Sequence, residues 1–278
     1  MKKQSKVGKK LWIAVLIIAI LVLLAGAFFL IRYFTQQDKL IERDDIRVET
    51  RDEATPDEVV TEPPTEAPTI NSFGYKLDEY ADWQELDFSK LRDINTDIYA
   101  WIYIPGTNVD YPVAQSIEYH DDSFYLNHNI YREYQFSGTI YSEMKNRLDF
   151  SDPVTVLYGH NMLNGSMFAT LHYFSDKDFF DKHTTCFVQT RDKLCTYLIY
   201  AAYVYDDRHI LNSFNFADED VRVDYFNSTL NPRTYSGFVR EGVELDKDSR
   251  IITLSTCIGA DKTRYLVQGV LVDEQFRQ

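Results

Sequence analysis

Cysteine is scarce in this chain. Three thiols in 278 residues are too few for a disulfide scaffold, and their odd number leaves at least one unpaired within the chain. Glycine (11) and proline (8) are too rare for collagen-like or low-complexity structure. Positive charge is also short: 29 Lys and Arg against 43 Asp and Glu give a formal charge of −14. Such a chain repels phosphate backbones, so no nucleic-acid partner is expected. Clustered metal ligands are missing as well. His183-x-x-Cys186 with Cys195 offers three loosely spaced donors and no fourth for zinc. Asp121-Asp122 lacks the alternating acids and glycine of an EF-hand loop. Neither a metal nor a cofactor is expected, and no internal repeat is visible. Aromatic residues, by contrast, are abundant. Twenty Tyr and 18 Phe within a 45% hydrophobic composition can build a sizeable core and exclude wholesale disorder.

The charge is unevenly spread. Residues 1–10 carry Lys2, Lys3, Lys6, Lys9 and Lys10 without an acid, and Leu11 to Ile31 follows without any charge. At ~1.5 Å per residue that run spans ~31 Å, the thickness of a bilayer's hydrocarbon core. Arg32 and Tyr33 close it as interfacial anchors. The basic tail places the N-terminus in the cytoplasm and the rest of the chain outside. A cleaved signal peptide is the rival reading, because Ala25-Gly26-Ala27 has the form of a cleavage site. The apolar run continues past it through Ile31, which favours an anchor; both readings export the chain. Residues 34–70 hold 11 acids, 4 bases and half of the prolines, the composition of a solvated, extended stalk. Four segments are therefore expected: a cytoplasmic tail (1–10), a transmembrane anchor (11–33), an acidic stalk (34–70) and a folded external domain (71–278).

That domain reads as strand-rich. A helix is expected over Asp78–Ile94, with Trp83, Leu86 and Leu91 on one side. Strands are expected at Ile98–Ile104, Val109–Ala114, Gly138–Glu143, Val154–Gly159, Thr185–Thr190, Cys195–Tyr205, Arg250–Thr256 and Arg264–Val272. Between the sixth and seventh lies a helical stretch, Ala217 to Leu230, with Val221, Tyr225 and Phe226 near one face. Eight short strands with a few helices suggest a closed or half-closed β-barrel in a mainly β, α+β domain. Cys186 and Cys195 fall on adjacent strands and could pair across the Thr190-Arg191 turn or remain two buried thiols. His120, His128, His172 and His209 are expected at the surface or in packing.

Two strand ends carry chemistry. Val154 to Tyr158 is an apolar strand that stops at Gly159 and delivers His160. Ile251 to Thr256 is another, ending in Cys257, and Arg264 opens the strand that follows. A Cys at a strand mouth with a His elsewhere suits nucleophilic catalysis by a thiol. An unperturbed thiol is only a few per cent thiolate at neutral pH, so a cationic or basic neighbour matters. Arg264 keeps its charge at any pH and can donate to an oxyanion.

The strings around these residues narrow the reading. Thr253-Leu254-Ser255-Thr256-Cys257 with Arg264 seven residues on, together with Tyr158-Gly159-His160-Asn161-Met162, resembles the sortase family. Trp101-Ile102-Tyr103-Ile104-Pro105-Gly106-Thr107, then Asp110-Tyr111-Pro112-Val113 and Arg264-Tyr265-Leu266-Val267-Gln268-Gly269, looks like class B in particular. The helix before the seventh strand is a further class B feature. The lid motif and second membrane span typical of class C, the usual pilus polymerases, are not found: the lone Asp-Pro is Asp152-Pro153, followed by Val154. The resemblance implies an eight-stranded sortase-type barrel behind a single transmembrane helix, displayed on a Gram-positive cell. It implies a cysteine transpeptidase that cleaves a C-terminal sorting signal after Thr, holds the acyl group as a thioester and passes it to an amine. Its partners would be sorting-signal-bearing surface proteins or pilins, with a peptidoglycan precursor or a pilin lysine as acceptor. By carry-over, Cys257 is the nucleophile, His160 the general acid or base, and Arg264 the substrate-orienting and oxyanion-stabilising residue. Ser255, on the same side of its strand as Cys257, either touches substrate or merely completes the barrel. A thiol hydrolase using the same Cys and His, or a non-catalytic anchored adhesin, are the alternatives.

Overall fold

The strand-forming runs pair into one continuous sheet. A computed structural model of the chain describes residues 6–35, 40–41, 71–80, 83, 86–234, 236–258 and 263–277. Its strands are β1 (Ile98–Tyr103), β2 (Asp110–Ala114), β3 (Ile140–Tyr141), β4 (Val154–Tyr158), β5 (Thr185–Thr190), β6 (Lys193–Asp206), β7 (Gly237–Val239), β8 (Ile251–Cys257) and β9 (Thr263–Phe276). Their order is β5-β1-β2-β3-β4-β8-β9-β6-β7, and β5 also pairs with β6. Eight strands thus close into a barrel, which leaves those strands no unpaired edge along the closure. β7 is an addition beyond the end of β5. On β6, β5 takes Leu194 to Leu198 and β7 takes Ala201 to Tyr203. The α-helices among the described residues are α1 (Lys6–Thr35), α2 (Phe88–Ile94), α3 (Lys177–Lys182), α4 (Ile210–Ser213) and α5 (Glu219–Leu230).

The chain divides into two compact units, Met1–Lys39 and Leu40–Gln278. The first is built on α1, whose stretch Trp12–Leu30 has a mean hydropathy of 3.2 and the length to cross a bilayer. The second holds the barrel. Ile102, Val113, Leu157, Val188, Ile199, Leu254 and Val267 point inward from seven strands and meet Phe168, Phe174 and Phe180 from the 160–182 region. On the outer face, Tyr225 and Phe226 of α5 cover Leu198, Tyr200, Leu266 and Val270. β6 and β8 are therefore buried on both faces, which is why Ile251-Ile252-Thr253-Leu254 lacks polar alternation. Fully burying each such apolar side chain contributes ~1.5–3 kcal/mol. Gln268, polar yet fully buried, donates to Thr253 Oγ1 at 2.9 Å and accepts from the Tyr203 hydroxyl at 2.9 Å.

Several expectations need correction. The first helix of the domain begins at Phe88, ten residues later than expected, because the Asp87 carboxylate accepts from Ser89 N–H and caps it there. Trp83, Leu86 and Leu91 are all buried, but in two separate clusters rather than along one helical face. The strand expected over Gly138–Glu143 shrinks to Ile140–Tyr141: Gly138 sits at φ +62° in a turn. The last strand runs on to Phe276 because β6 and β9 pair from Lys193–Phe276 to Asp206–Thr263, with two register shifts that bend the ribbon. Of the two readings left open for Cys186 and Cys195, two free buried thiols is the one that holds: register sets Cys195 opposite Val188 and Cys186 opposite Tyr197. Most of the stalk expected over 34–70 lies outside the described residues, yet Ile41 is buried with Phe88 and Trp101 instead of solvated.

Candidate active site

Strand register brings the two sequence-distant ends together. β4 runs parallel to β8, with Tyr158 paired to Ser255, and Gly159 N–H extends the ladder to the Ser255 carbonyl at 3.2 Å. β8 then turns back into β9, with Cys257 directly opposite Arg264. His160, Cys257, Arg264 and Ser255 consequently line one cavity of about 230 Å³ at the barrel mouth. Recesses of about 400 and 410 Å³ elsewhere contain no cysteine in their linings.

Each residue is held by local structure. A Cβ on Gly159 would lie 2.5 Å from Ile140 Cδ1 and 2.8 Å from the Phe168 ring, so any larger residue must displace a buried neighbour. His160 Nε2 lies 2.7 Å from the Leu126 carbonyl and must carry the proton that bonds to it. The ring stacks on Phe136 at 5.4 Å, and the His160 carbonyl accepts from Phe168 N–H at 2.9 Å. Cys257 is half-buried, whereas burial pushes Cys195 up to about 12 and Cys186 well above the ordinary thiol range. Arg264 donates to the Thr263 carbonyl at 3.3 Å and forms no ion pair among the described residues. Ser255 is buried in the same wall.

Four residues of this region escaped the sequence reading. Glu143, Tyr205 and His209 line the cavity opposite the nucleophile. His209 caps α4, its Nδ1 accepting from Asn212 N–H, so its Nε2–H faces Glu143 Oε1 at 2.6 Å. Burial raises Glu143, and this hydrogen bond opposes the shift. His172, expected in packing, stacks on Tyr265 at 4.8 Å and places Nε2 3.2 Å from the Cys257 carbonyl. No spacing in the sequence links positions 143, 172, 205 and 209 to 257; only barrel closure does.

A family model of the sortase domain matches residues 102–272, most of the barrel. The chain belongs to the sortase family. Within it, Sortase B of Listeria monocytogenes is 33% identical over 210 residues, 74% of this chain and 79% of that relative. Sortase B of Staphylococcus aureus is 30% identical over 172 residues, 61% of this chain and 67% of that protein. Among solved structures, Sortase B of Clostridium perfringens superposes with a TM-score of 0.60 at 31% identity, covering 66% of this sortase and 99% of the other chain. A class B sortase of Streptococcus pyogenes involved in pilus biogenesis gives 0.57 at 28%, covering 66% and 97%. The barrel, the class B resemblance and membership of a cysteine transpeptidase family agree with the expectations from sequence.

Proposed function

We propose that this sortase cleaves the sorting signal of surface proteins after Thr and transfers the acyl group to an amine, using Cys257, His160 and Arg264. The observation that carries this reading is the register pair Cys257–Arg264 at the mouth of a cavity whose other wall delivers His160. With Nε2–H committed to Leu126, the remaining nitrogen of His160 exchanges protons. It takes the Cys257 thiol proton as Sγ attacks the Thr carbonyl, then returns it to the departing amine as the C–N bond breaks. Arg264 donates to the oxyanion in both tetrahedral steps. The acceptor amine then attacks the thioester, the C–Sγ bond breaks, and the amine's proton passes through His160 to the departing Sγ, restoring the thiol. Ser255, buried in the cavity wall, contacts the bound peptide.

In the same reading α1 anchors the protein with residues 1–10 inside, residues 34–70 tether it, and residues 71–278 work outside. The acceptor is a peptidoglycan-precursor or pilin-lysine amine; the likeness to a class B sortase involved in pilus biogenesis supports an amine of this kind. The test is full-length protein with a sorting-motif peptide, with and without triglycine. Amine-dependent ligation that disappears in Cys257→Ala is expected. Hydrolysis unaffected by amine would instead favour a thiol hydrolase, and turnover surviving in Cys257→Ala would refute the thioester route. Protease added to intact cells should remove the domain from outside; its protection would refute the orientation.

A further inference from the structure

The β4–β8 ladder does not stop where the strands do. Gly159 N–H reaches the Ser255 carbonyl, and the next carbonyl on that edge of β8 belongs to Cys257. By then the β4 chain has left the sheet and offers no backbone partner of its own. The Asn161 side chain takes that place, its Nδ2 donating to the Cys257 carbonyl at 3.1 Å. His172 Nε2 lies 3.2 Å from the same carbonyl and 3.1 Å from Asn161 Nδ2; when protonated it is a second donor to Cys257. One donor already satisfies a carbonyl, and a second fills its remaining lone pair.

The two donors come from one looped segment. Asn161 bridges to Met167 across that loop, Phe168 N–H bonds the His160 carbonyl, and the 3₁₀ turn Ala169–Ser175 then presents His172. Met167 holds φ at +57°, and its N–H donates to the Tyr111 hydroxyl at 3.1 Å. Such a backbone persists only where its surroundings hold it. Each donor also neighbours another part of the site. Asn161 follows His160 in the chain. His172 stacks on Tyr265, which follows Arg264. Burial lowers the His172 ring below the ordinary imidazole range, offset in part by the bond to the Cys257 carbonyl. A neutral ring has a single N–H: on Nε2 it donates to the Cys257 carbonyl, whereas a bare Nε2 would accept from Asn161 Nδ2 instead, so the clamp requires the Nε2–H tautomer.

We infer that Asn161 and His172 are positioning residues: a two-donor clamp on the Cys257 carbonyl that ties the three segments bearing His160, Cys257 and Arg264 into one geometry. This rests on the acyl-transfer reading above. The clamp does not touch the substrate. It fixes the end of β8, and thereby the direction in which Sγ leaves the strand, relative to the proton carrier and the oxyanion donor. A displacement of ~1 Å at a reacting atom can cost ~10²-fold in rate, so the clamp acts on turnover rather than on substrate binding.

The test uses full-length protein in detergent micelles with a sorting-motif peptide and triglycine. Asn161→Ala combined with His172→Ala should lower kcat by ~10²-fold and leave KM within about two-fold, because no substrate contact is lost. Each single Ala variant should show a smaller loss of the same kind. His172→Gln should recover most of the rate, since its amide nitrogen can occupy the Nε2 position, whereas His172→Leu should not. Unchanged kcat in the folded single variants, a loss confined to KM, or equal damage from Gln and Leu would each overturn the clamp. A readout independent of turnover comes from ¹⁵N-histidine spectra of the unsubstituted chain: His172 should be the Nε2–H tautomer, and an Nδ1–H tautomer refutes the proposal. If the unsubstituted protein transfers no acyl group, the acyl-transfer reading fails while the tautomer still decides the clamp.

Discussion

Gly159→Ala places one methyl group at the point where stability and catalysis meet. The added Cβ would lie 2.5 Å from Ile140 Cδ1 and 2.8 Å from Phe168 Cγ and Cδ2, and both neighbours are fully buried. The backbone torsion at Gly159 is not left-handed, so the penalty is steric overlap alone. Overpacking of this kind costs ~1–3 kcal/mol. At ~2–4 °C per kcal/mol for a domain of this size, the melting temperature should fall by ~2–12 °C. The strain has two outlets: Ile140 Cδ1 can rotate away, or the chain can shift and carry His160 with it. Phe168 cannot retreat easily, because its N–H holds the His160 carbonyl. Part of the strain therefore reaches His160, and kcat should fall by ~10–10²-fold well below the melting temperature. The assay pairs thermal unfolding with steady-state ligation of a sorting peptide. Ile140→Val removes the nearest clashing carbon and, combined with Gly159→Ala, should recover part of the melting temperature but less of the rate. A Gly159→Ala protein with unaltered melting temperature and unaltered kcat would refute the argument. So would a double variant that recovers activity fully while stability stays low.

Arg264→Lys and Arg264→Ala should both lose at least ~10²-fold in ligation, because a point charge does not reproduce a planar donor set; near-normal ligation by the Lys variant would remove the oxyanion assignment. Thiol labelling with a disulfide reagent should modify Cys257 alone in the native protein and all three cysteines in urea, since burial suppresses the Cys186 and Cys195 thiolates; rapid native labelling of either would contradict their burial. Glu274 is bonded by Arg250, then by Lys193 at 2.6 Å, and these bonds hold it at about 2 against the opposing effect of burial. Its folded pKa is depressed, so its contribution is full above the unfolded carboxylate range and is lost as pH falls from ~4.5 toward ~2. Glu274→Gln should therefore lower the melting temperature at pH 7, and the gap from the unsubstituted protein should narrow as pH is lowered through that window; a pH-independent gap would mean that Glu274 acts by packing alone.

Local sequence determined the elements in which one stretch suffices. The apolar run from Leu11 to Ile31 is helical within α1. The β-branched run Val154 to Tyr158 is a strand. Asp218 starts α5 by accepting from Asp220 and Val221 N–H, close to the start expected at Ala217. The family, and with it the candidate trio His160, Cys257 and Arg264, was legible because short strings around each residue carry the resemblance. Other features depended on contacts between distant segments. The short β7 forms only because β6 continues past the end of β5 and exposes an edge at Ala201 to Tyr203. Of the stretch expected to be helical from Asp78, Asp78 N–H donates to Thr185 Oγ1 and Trp83 packs on Phe187 and Leu194 of the barrel instead. That tertiary burial outweighs their helical periodicity. His172, Glu143 and His209 carry no local mark of importance, and each meets the site across a long loop in the chain. Closure of a barrel through non-local pairing sets those encounters, and non-local pairing leaves no period in a single sequence.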